Sequence, residues 1–271
     1  MIGVPGRSGM LSLVCRRVAL AAAALWLAQP AQALAQQGLH PEIGLGASYI
    51  TGDYGQPGQN TSVVYAPLTA TLRAPTWRVE ATAPFIQIHG PDNVAGADGA
   101  PIVVGGSPSR MTTREGLGDV LLGAGAYLPR APNLPLLDVS TRVKLPTAGA
   151  NLGTGRADFA AQMAAYQPVT PKILLMAAAG YQWLGSSDVY HLTGGPTGMV
   201  GFNYKAAQSV DAGLTLNFTS RIAEGLDHQL FVSPYVTWRT SKLWGFTAYA
   251  LAGLTRSSPT AGGGIQLTLY R

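Results

Sequence analysis

Cysteine is almost missing from this chain. Its 271 residues include one, Cys15, which lies in a segment that reads as an export signal. The rest of the chain can form neither a disulfide nor a thiolate metal site. Charge is scarce as well: Asp, Glu, Lys and Arg make up 11% of residues, against about 25% in an ordinary soluble domain. No apolar run reaches the roughly 20 residues that a membrane-spanning helix needs. The longest run after the signal is Ile173 to Gly180. Long helices are further disfavoured by 34 glycines and 19 prolines.

Residues 1–35 have the parts of a secretory signal: a basic start with Arg7, Arg16 and Arg17, an apolar stretch from Val18 to Ala28, and Ala33-Leu34-Ala35 as a cleavage site. Cleavage is expected after Ala35, with Ala31-Gln32-Ala33 as a second candidate site. Cys15 precedes Arg16, Arg17 and the apolar stretch, so it is an incidental signal residue rather than a lipoprotein acylation site. The formal charge of +5 comes from 18 basic and 13 acidic residues, and the signal holds three of the bases, which leaves +2 on residues 36–271. The basic balance is therefore mostly a targeting feature, and no nucleic-acid partner is implied.

What the chain does have is alternation. From Ser209 to Phe218, Val210, Ala212, Leu214, Leu216 and Phe218 alternate with Ser209, Asp211, Gly213, Thr215 and Asn217. Successive side chains of a strand point to opposite faces, so this segment has one apolar and one polar face. Similar segments predict twelve strands, at 40–50, 61–73, 76–88, 115–128, 136–146, 156–168, 172–184, 197–205, 208–220, 228–240, 242–254 and 261–270. Together with the signal, they predict an all-β fold: a transmembrane antiparallel β-barrel over residues 36–271, in a bacterial outer membrane.

The connections support that count. Those after odd-numbered strands are mostly long: Thr51–Asn60, His89–Arg114, Thr147–Gly155, Gly185–Pro196 and Arg221–Asp227, with Thr255–Thr260 shorter than its class. Those after even-numbered strands are short: Ala74-Pro75, Pro129–Pro135, Val169–Pro171, Ala206-Ala207 and Ser241. Long external loops and short periplasmic turns are the outer-membrane pattern, and an even count returns both termini to the periplasm. Aromatic residues follow the same polarity. Trp77, Tyr204, Trp238 and Trp244 fall at the short-turn ends and Tyr49, Trp183 and Phe218 at the long-loop ends, all on the apolar face. Two girdles at headgroup level are expected, although aromatics also favour strands in general.

Alternation then sorts the charges. In the fifth strand Leu137, Val139, Thr141, Val143 and Leu145 face lipid, while Asp138, Ser140, Arg142 and Lys144 face the lumen. Arg78, Glu80, Asp119, Asp158, Lys205, Asp211 and Arg239 are assigned inward as well, with Glu42 and Arg73. A charge on the lipid face near mid-membrane costs about 2–4 kcal/mol, so the register that hides them is favoured over its one-residue slip. Opposite charges in a narrow lumen either brace the wall or mark a substrate track, and interior ions usually find partners. Strands seven and eleven have apolar inner faces (Leu174, Met176, Ala178; Tyr249, Leu251), which predicts a greasy sector.

Chemistry-bearing motifs are few. Gly194-Gly195-Pro196 and Gly262-Gly263-Gly264 lack the following Lys-Ser/Thr of a phosphate loop. A rim hydrolase would have to draw on Ser187, Asp188, His191 and Thr193, or on Asp227 and His228, and neither set forms a nucleophile motif. No catalytic residue, metal site or cofactor is expected. Only Gln36 to Leu39 separate the cleavage point from the first strand, which leaves no room for an N-terminal plug. A constriction would come from the wall or from the long loop His89–Arg114, which carries Asp92, Asp98 and Arg110 and either folds inward or stays outside as a disordered loop.

Three stretches carry a family resemblance. Gly116-Leu117-Gly118-Asp119-Val120 opens strand four, Lys144-Leu145-Pro146-Thr147 ends strand five, and Leu152-Gly153-Thr154-Gly155-Arg156-Ala157-Asp158 opens strand six. Their order and spacing resemble the outer-membrane family named for the meta-pathway of phenol degradation, most specifically over residues 115–185. The chain departs from that pattern at Ala148, which precedes Gly149, and at its end, where Arg271 follows Tyr270. The resemblance implies passive transport of a small, hydrophobic or aromatic molecule. The alternatives are a structural or adhesive barrel with a closed lumen and a rim hydrolase. Expected partners are outer-membrane lipid, the export and barrel-assembly machinery and a small-molecule substrate. In the motif itself, Gly116 and Gly118 suit close strand approach or a bulge. Asp119 and Asp158 flank Arg142 and Lys144 as an acid–base–acid brace over three strands.

Overall fold

The computed structural model describes residues 38–54, 58–96, 102–103, 110–129, 133–149, 152–186 and 191–271. The expected signal and the rim residues Ser187 and Asp188 lie outside these ranges. The wall is built from β1 (His40–Gly52), β2 (Thr61–Arg73), β3 (Trp77–Pro91), β4 (Met111–Leu117 and Val120–Tyr127), β5 (Leu136–Leu145), β6 (Asp158–Pro168), β7 (Ile173–Trp183), β8 (Gly195–Lys205), β9 (Val210–Thr219), β10 (Gln229–Arg239), β11 (Trp244–Gly253) and β12 (Ala261–Tyr270). Hydrogen bonding divides the wall into 13 segments, of which two are the halves of β4, so the barrel has twelve strands. Neighbours pair antiparallel, and β1 pairs with both β2 and β12. The sheet thus closes without an edge, which a sheet in hydrocarbon requires because no water is there to satisfy unpaired backbone groups.

The register follows from side-chain chemistry. Leu45, Leu68, Val79, Val200 and Leu267, from five strands around the ring, all expose their side chains on the outer surface. Gly46, Thr69, Glu80, Arg142 and Gln266, from five strands, line a single cavity, and residues so spaced around a closed ring can meet only inside it. The two halves of β4 mark the one break in the wall. Phe85 of β3 pairs with Leu117, yet Thr82 pairs with Leu121, so β4 spends one more residue than its neighbour there. Gly118 and Asp119 form this β-bulge. Gly116 just before it has φ +153°, a conformation that disfavours side chains.

Buried apolar residues gather at the long-loop end. Tyr54 from the β1–β2 loop packs with Val94 and Leu226, and Ala95 packs with Leu184, Leu192, Ile222 and Leu226. Leu152 and Ala148 from the β5–β6 loop join Val63, Ile86 and Ile88 of the wall. Five loops from different sides of the ring therefore converge over the opening. The described start of the β3–β4 loop turns into this cap, with Val94 1% exposed. A two-residue ladder pairs Val94–Ala95 with Ile102–Val103. Gly96 N–H donates to the Leu152 carbonyl at 3.0 Å. Arg114 of β4 clamps the turn from below through bonds to the Pro91 and Val94 carbonyls at 3.1 and 2.8 Å.

Candidate functional site

The lumen wall is most polar along β2 to β6. Arg73 donates to Glu42 on β1 at 2.9 Å and also to the Tyr127 hydroxyl. Arg78 reaches across β4 to Asp138 on β5 at 2.7 Å. Its path runs over Gly125, where an added Cβ would lie 2.8 Å from the guanidinium carbon and would push the guanidinium aside. The same guanidinium lies 5.3 Å from the Tyr127 ring centroid, a cation–π distance.

A second cluster sits beside the bulge. Lys144 is 3% exposed and lies 2.5 Å from Asp158 on β6 and 3.5 Å from Asp119 on β4. Each member also holds a loop. Asp119 Oδ1 accepts the Ala148 N–H at 2.8 Å, Asp158 Oδ1 accepts the Gly185 N–H at 2.8 Å, and Lys144 donates to Thr154 Oγ1 at 3.2 Å. Thr147 adds a further tie, its hydroxyl oxygen accepting the Val120 N–H at 2.8 Å. The three motifs of strands four, five and six thus meet at one place.

Arg142 and Glu80 behave differently. Both border the mid-lumen cavities, and neither belongs to an ion pair among the described residues. Glu80 accepts only a long bond from Thr71, at 3.4 Å. Elsewhere, Lys205 stands opposite Asp211 in the β8–β9 register, and Asp211 accepts from Asn203 at 3.1 Å. Arg239 lies 5.7 Å from the Tyr270 ring centroid.

Beside the charges, on the same wall, lies an apolar patch. Near the short-turn end Tyr127, Leu136, Tyr166, Pro168 and Leu174 border a cavity of about 350 Å³, with Asp138 at its rim. Several inward tyrosines reach over glycines of the next strand: Tyr235 over Gly213, Tyr249 over Gly264 and Tyr270 over Gly245. Tyr235 also donates to Asn203 Oδ1 at 3.0 Å. Such ring-on-glycine contacts cover backbone that would otherwise be bare and pin the register.

Outside, Trp77, Tyr204, Trp238 and Trp244 are exposed near the short-turn ends of their strands, and Tyr49, Trp183 and Phe218 near the opposite ends. Trp183 packs against Phe159 and Tyr181, with ring centroids 5.2 and 4.8 Å apart. Among the described residues, His228 is set in no catalytic geometry. His228 stacks on Phe218 at 5.7 Å, and Ser258, the serine nearest it in the rim cavity, commits its hydroxyl to the Leu230 backbone at 2.8 Å. No group of three His, Cys, Asp or Glu side chains among the described residues could hold a metal.

Two features went unread in the sequence. The cap residues Tyr54, Val94, Ala95, Leu192 and Ile222 lie in loops, where apolar side chains were the available signal. Tyr127 is assigned inward by counting on from Asp119, since alternation resumes after the bulge. Burial holds the Tyr54 phenol above its ordinary pKa, and its hydroxyl has no hydrogen-bond partner among the described residues.

A search of curated proteins by sequence finds no match. Among solved structures, the COG4313 outer membrane channel from Pseudomonas putida F1 is similar at TM-score 0.64 and 12% identity, over 86% of this chain and 95% of that one. The KdgM porin gives 0.55 at 6% identity, over 84% and 98%, and the NanC porin 0.51 at 6%, over 84% and 99%. At these identities the likeness establishes the barrel fold. Sequence reaches further, because one family profile matches residues 59–270, from the β1–β2 loop to the last strand. The chain is an outer-membrane β-barrel and belongs to the family described as "Putative MetA-pathway of phenol degradation".

Proposed function

We propose that this barrel carries a small, mainly hydrophobic molecule passively across the outer membrane, and that aromatic compounds are the class it fits. The observation that carries the reading is an apolar cavity set beside charges that are paired off. Tyr127, Leu136, Tyr166 and Leu174 of β4 to β7 surround a 350 Å³ cavity, large enough for a single aromatic ring. The neighbouring charges are mostly tied to one another, so that wall presents few free ions. Family membership supports the same reading, since the family's description refers to phenol degradation. Residues 1–35 are read as the export signal, removed after Ala35 before the barrel-assembly machinery inserts the chain. The exposed rings of Trp77, Tyr204, Trp238 and Trp244, with those of Tyr49, Trp183 and Phe218, are read as two belts in contact with lipid headgroups.

The apolar cap favours a second reading, a barrel that is shut at rest and acts through its outer loops. Uptake separates the two. Radiolabelled phenol should enter porin-depleted cells faster when they express the barrel than when they carry an empty vector. Equal rates, together with no current in planar bilayers, would refute transport and leave the closed barrel.

A further inference from the structure

Of the basic side chains on β2 to β5, Arg73, Arg78 and Lys144 are paired with acids, and Arg114 is tied to two carbonyls. Arg142 is in no ion pair among the described residues, and Glu80, the acid in its own cross-strand row, is in none either. The strand register explains why they stand apart. Glu80 pairs with Gly123, and Gly123 pairs with Arg142. Two strand spacings, about 10 Å, therefore separate their backbones, and the residue between them has no side chain. A Cβ at Gly123 would find nothing closer than 3.7 Å. The result is an open notch in the wall. Its cavity of about 210 Å³ is bordered by Glu80, Gly123 and Arg142, with Ser140 and Gln162 one row below and with Arg78, already paired to Asp138, at its edge.

We propose that this notch is a binding site for a small amphiphile that carries a carboxylate for Arg142 and a hydroxyl or amine donor for Glu80. A guanidinium binds a carboxylate through two parallel charge-assisted bonds. An ionised carboxylate only accepts hydrogen bonds, so Glu80 selects a donor. Because the two groups face each other across a gap, the ligand that fits best is rigid, with its acid and its donor at opposite ends. The apolar cavity of Tyr127, Leu136, Tyr166 and Leu174 lies on the same wall toward the short-turn end, next along the path of the molecule. The site deepens the transport reading and rests on it.

The probe is 4-hydroxybenzoate, measured by titration calorimetry on the barrel in lipid nanodiscs against benzoate and 4-hydroxybenzyl alcohol. Wild type should bind 4-hydroxybenzoate at least about tenfold more tightly than the alcohol, the scale of a charge-assisted pair. R142Q should erase that preference. E80Q should erase the preference for 4-hydroxybenzoate over benzoate. G123L should abolish binding of all three by filling the notch. Heat-modifiable gel mobility checks that each variant is folded. Absence of saturable 4-hydroxybenzoate binding in wild type, or an unchanged preference in folded R142Q, overturns the notch. If phenol uptake persists in cells while acid binding is absent, only the notch fails; if phenol uptake and bilayer current are also absent, the transport reading fails with it.

Discussion

Replacing Lys144 with methionine keeps the length of the side chain and removes its charge. In the wild type the ammonium lies 2.5 Å from Asp158 and 3.5 Å from Asp119, with 3% of the residue exposed. Water is not available to take over, so K144M leaves two buried carboxylates facing each other. Breaking a buried pair in this way costs about 3–5 kcal/mol, most of it the penalty for the charge left behind. The Arg73–Glu42 pair is a suitable control, because Arg73 is 37% exposed and a pair of that kind contributes only ~0–1 kcal/mol. Guanidinium titration of the barrel refolded in lipid vesicles should therefore show a much larger loss for K144M than for R73M. The triple variant K144M/D119N/D158N should recover much of it, since neutral groups cost less to bury. The same cluster anchors Ala148, Thr154 and Gly185, so K144M should also speed proteolysis of the β5–β6 loop. Equal midpoints for K144M and R73M, or no recovery in the triple variant, would refute the bracing argument.

Three further outcomes follow from the cap and the bulge. Val94 is 1% exposed against Tyr54 and Leu226, so V94D should expel the loop and raise single-channel conductance well above V94A, which loses only about 1–2 kcal/mol of burial; equal currents would show that the cap does not close the lumen. Burial raises the pKa of Tyr54, so the closed cap holds the neutral phenol while an opened cap ionises near the ordinary value of about 10. The sign follows: the contribution of Tyr54 is complete below about pH 10 and is lost as pH rises above it. Conductance should then climb on the alkaline side in wild type and stay flat in Y54F. At the bulge, a methyl on Gly118 would collide with the Ile86 side chain. G118A should cost about 1–3 kcal/mol by overpacking, and adding I86V should restore part of it in the same guanidinium titration.

Much of the wall was legible because its signals are local. Period-two alternation fixes which face a residue occupies, and the long–short rhythm of the connections fixes direction. The boundaries read from sequence differ from the strand ends by a few residues, as at β4, where the hydrogen-bonded strand begins at Met111 rather than 115. Adjacent-strand chemistry was partly legible for the same reason: Asp119, Lys144 and Asp158 lie on consecutive strands, so their meeting needs only the right register. That register does not say which base takes the middle seat. Arg142 and Lys144 share a strand and a face, and the choice falls to Lys144 because it lies one pair nearer the bulge, opposite Asp158. The cap was not legible. It joins Tyr54, Val94, Leu152, Leu192 and Ile222 through contacts between loops that no strand period relates. The crossing of Arg78 to Asp138 depends equally on a residue of a third strand, Gly125, whose role appears only once all three are aligned.

The distribution of charge bears directly on what the lumen can conduct. A water-filled pore for ions keeps its charged side chains solvated and spread along the path. Here most of them are used as stitches: Arg73 to Glu42 and Tyr127, Arg78 to Asp138, and Lys144 to two acids. The stitches lie on one side of the ring, join β1 to β6, and narrow the lumen there. Inward tyrosines seated on glycines narrow it further without adding charge. The cap adds buried apolar side chains at the long-loop end. The stitches and the tyrosines lower the conductance expected for hydrated ions and leave the surface of Tyr166 and Leu174 uncharged. Low conductance would therefore be an expected property of this barrel, and only the combination of low conductance with absent uptake would count against transport.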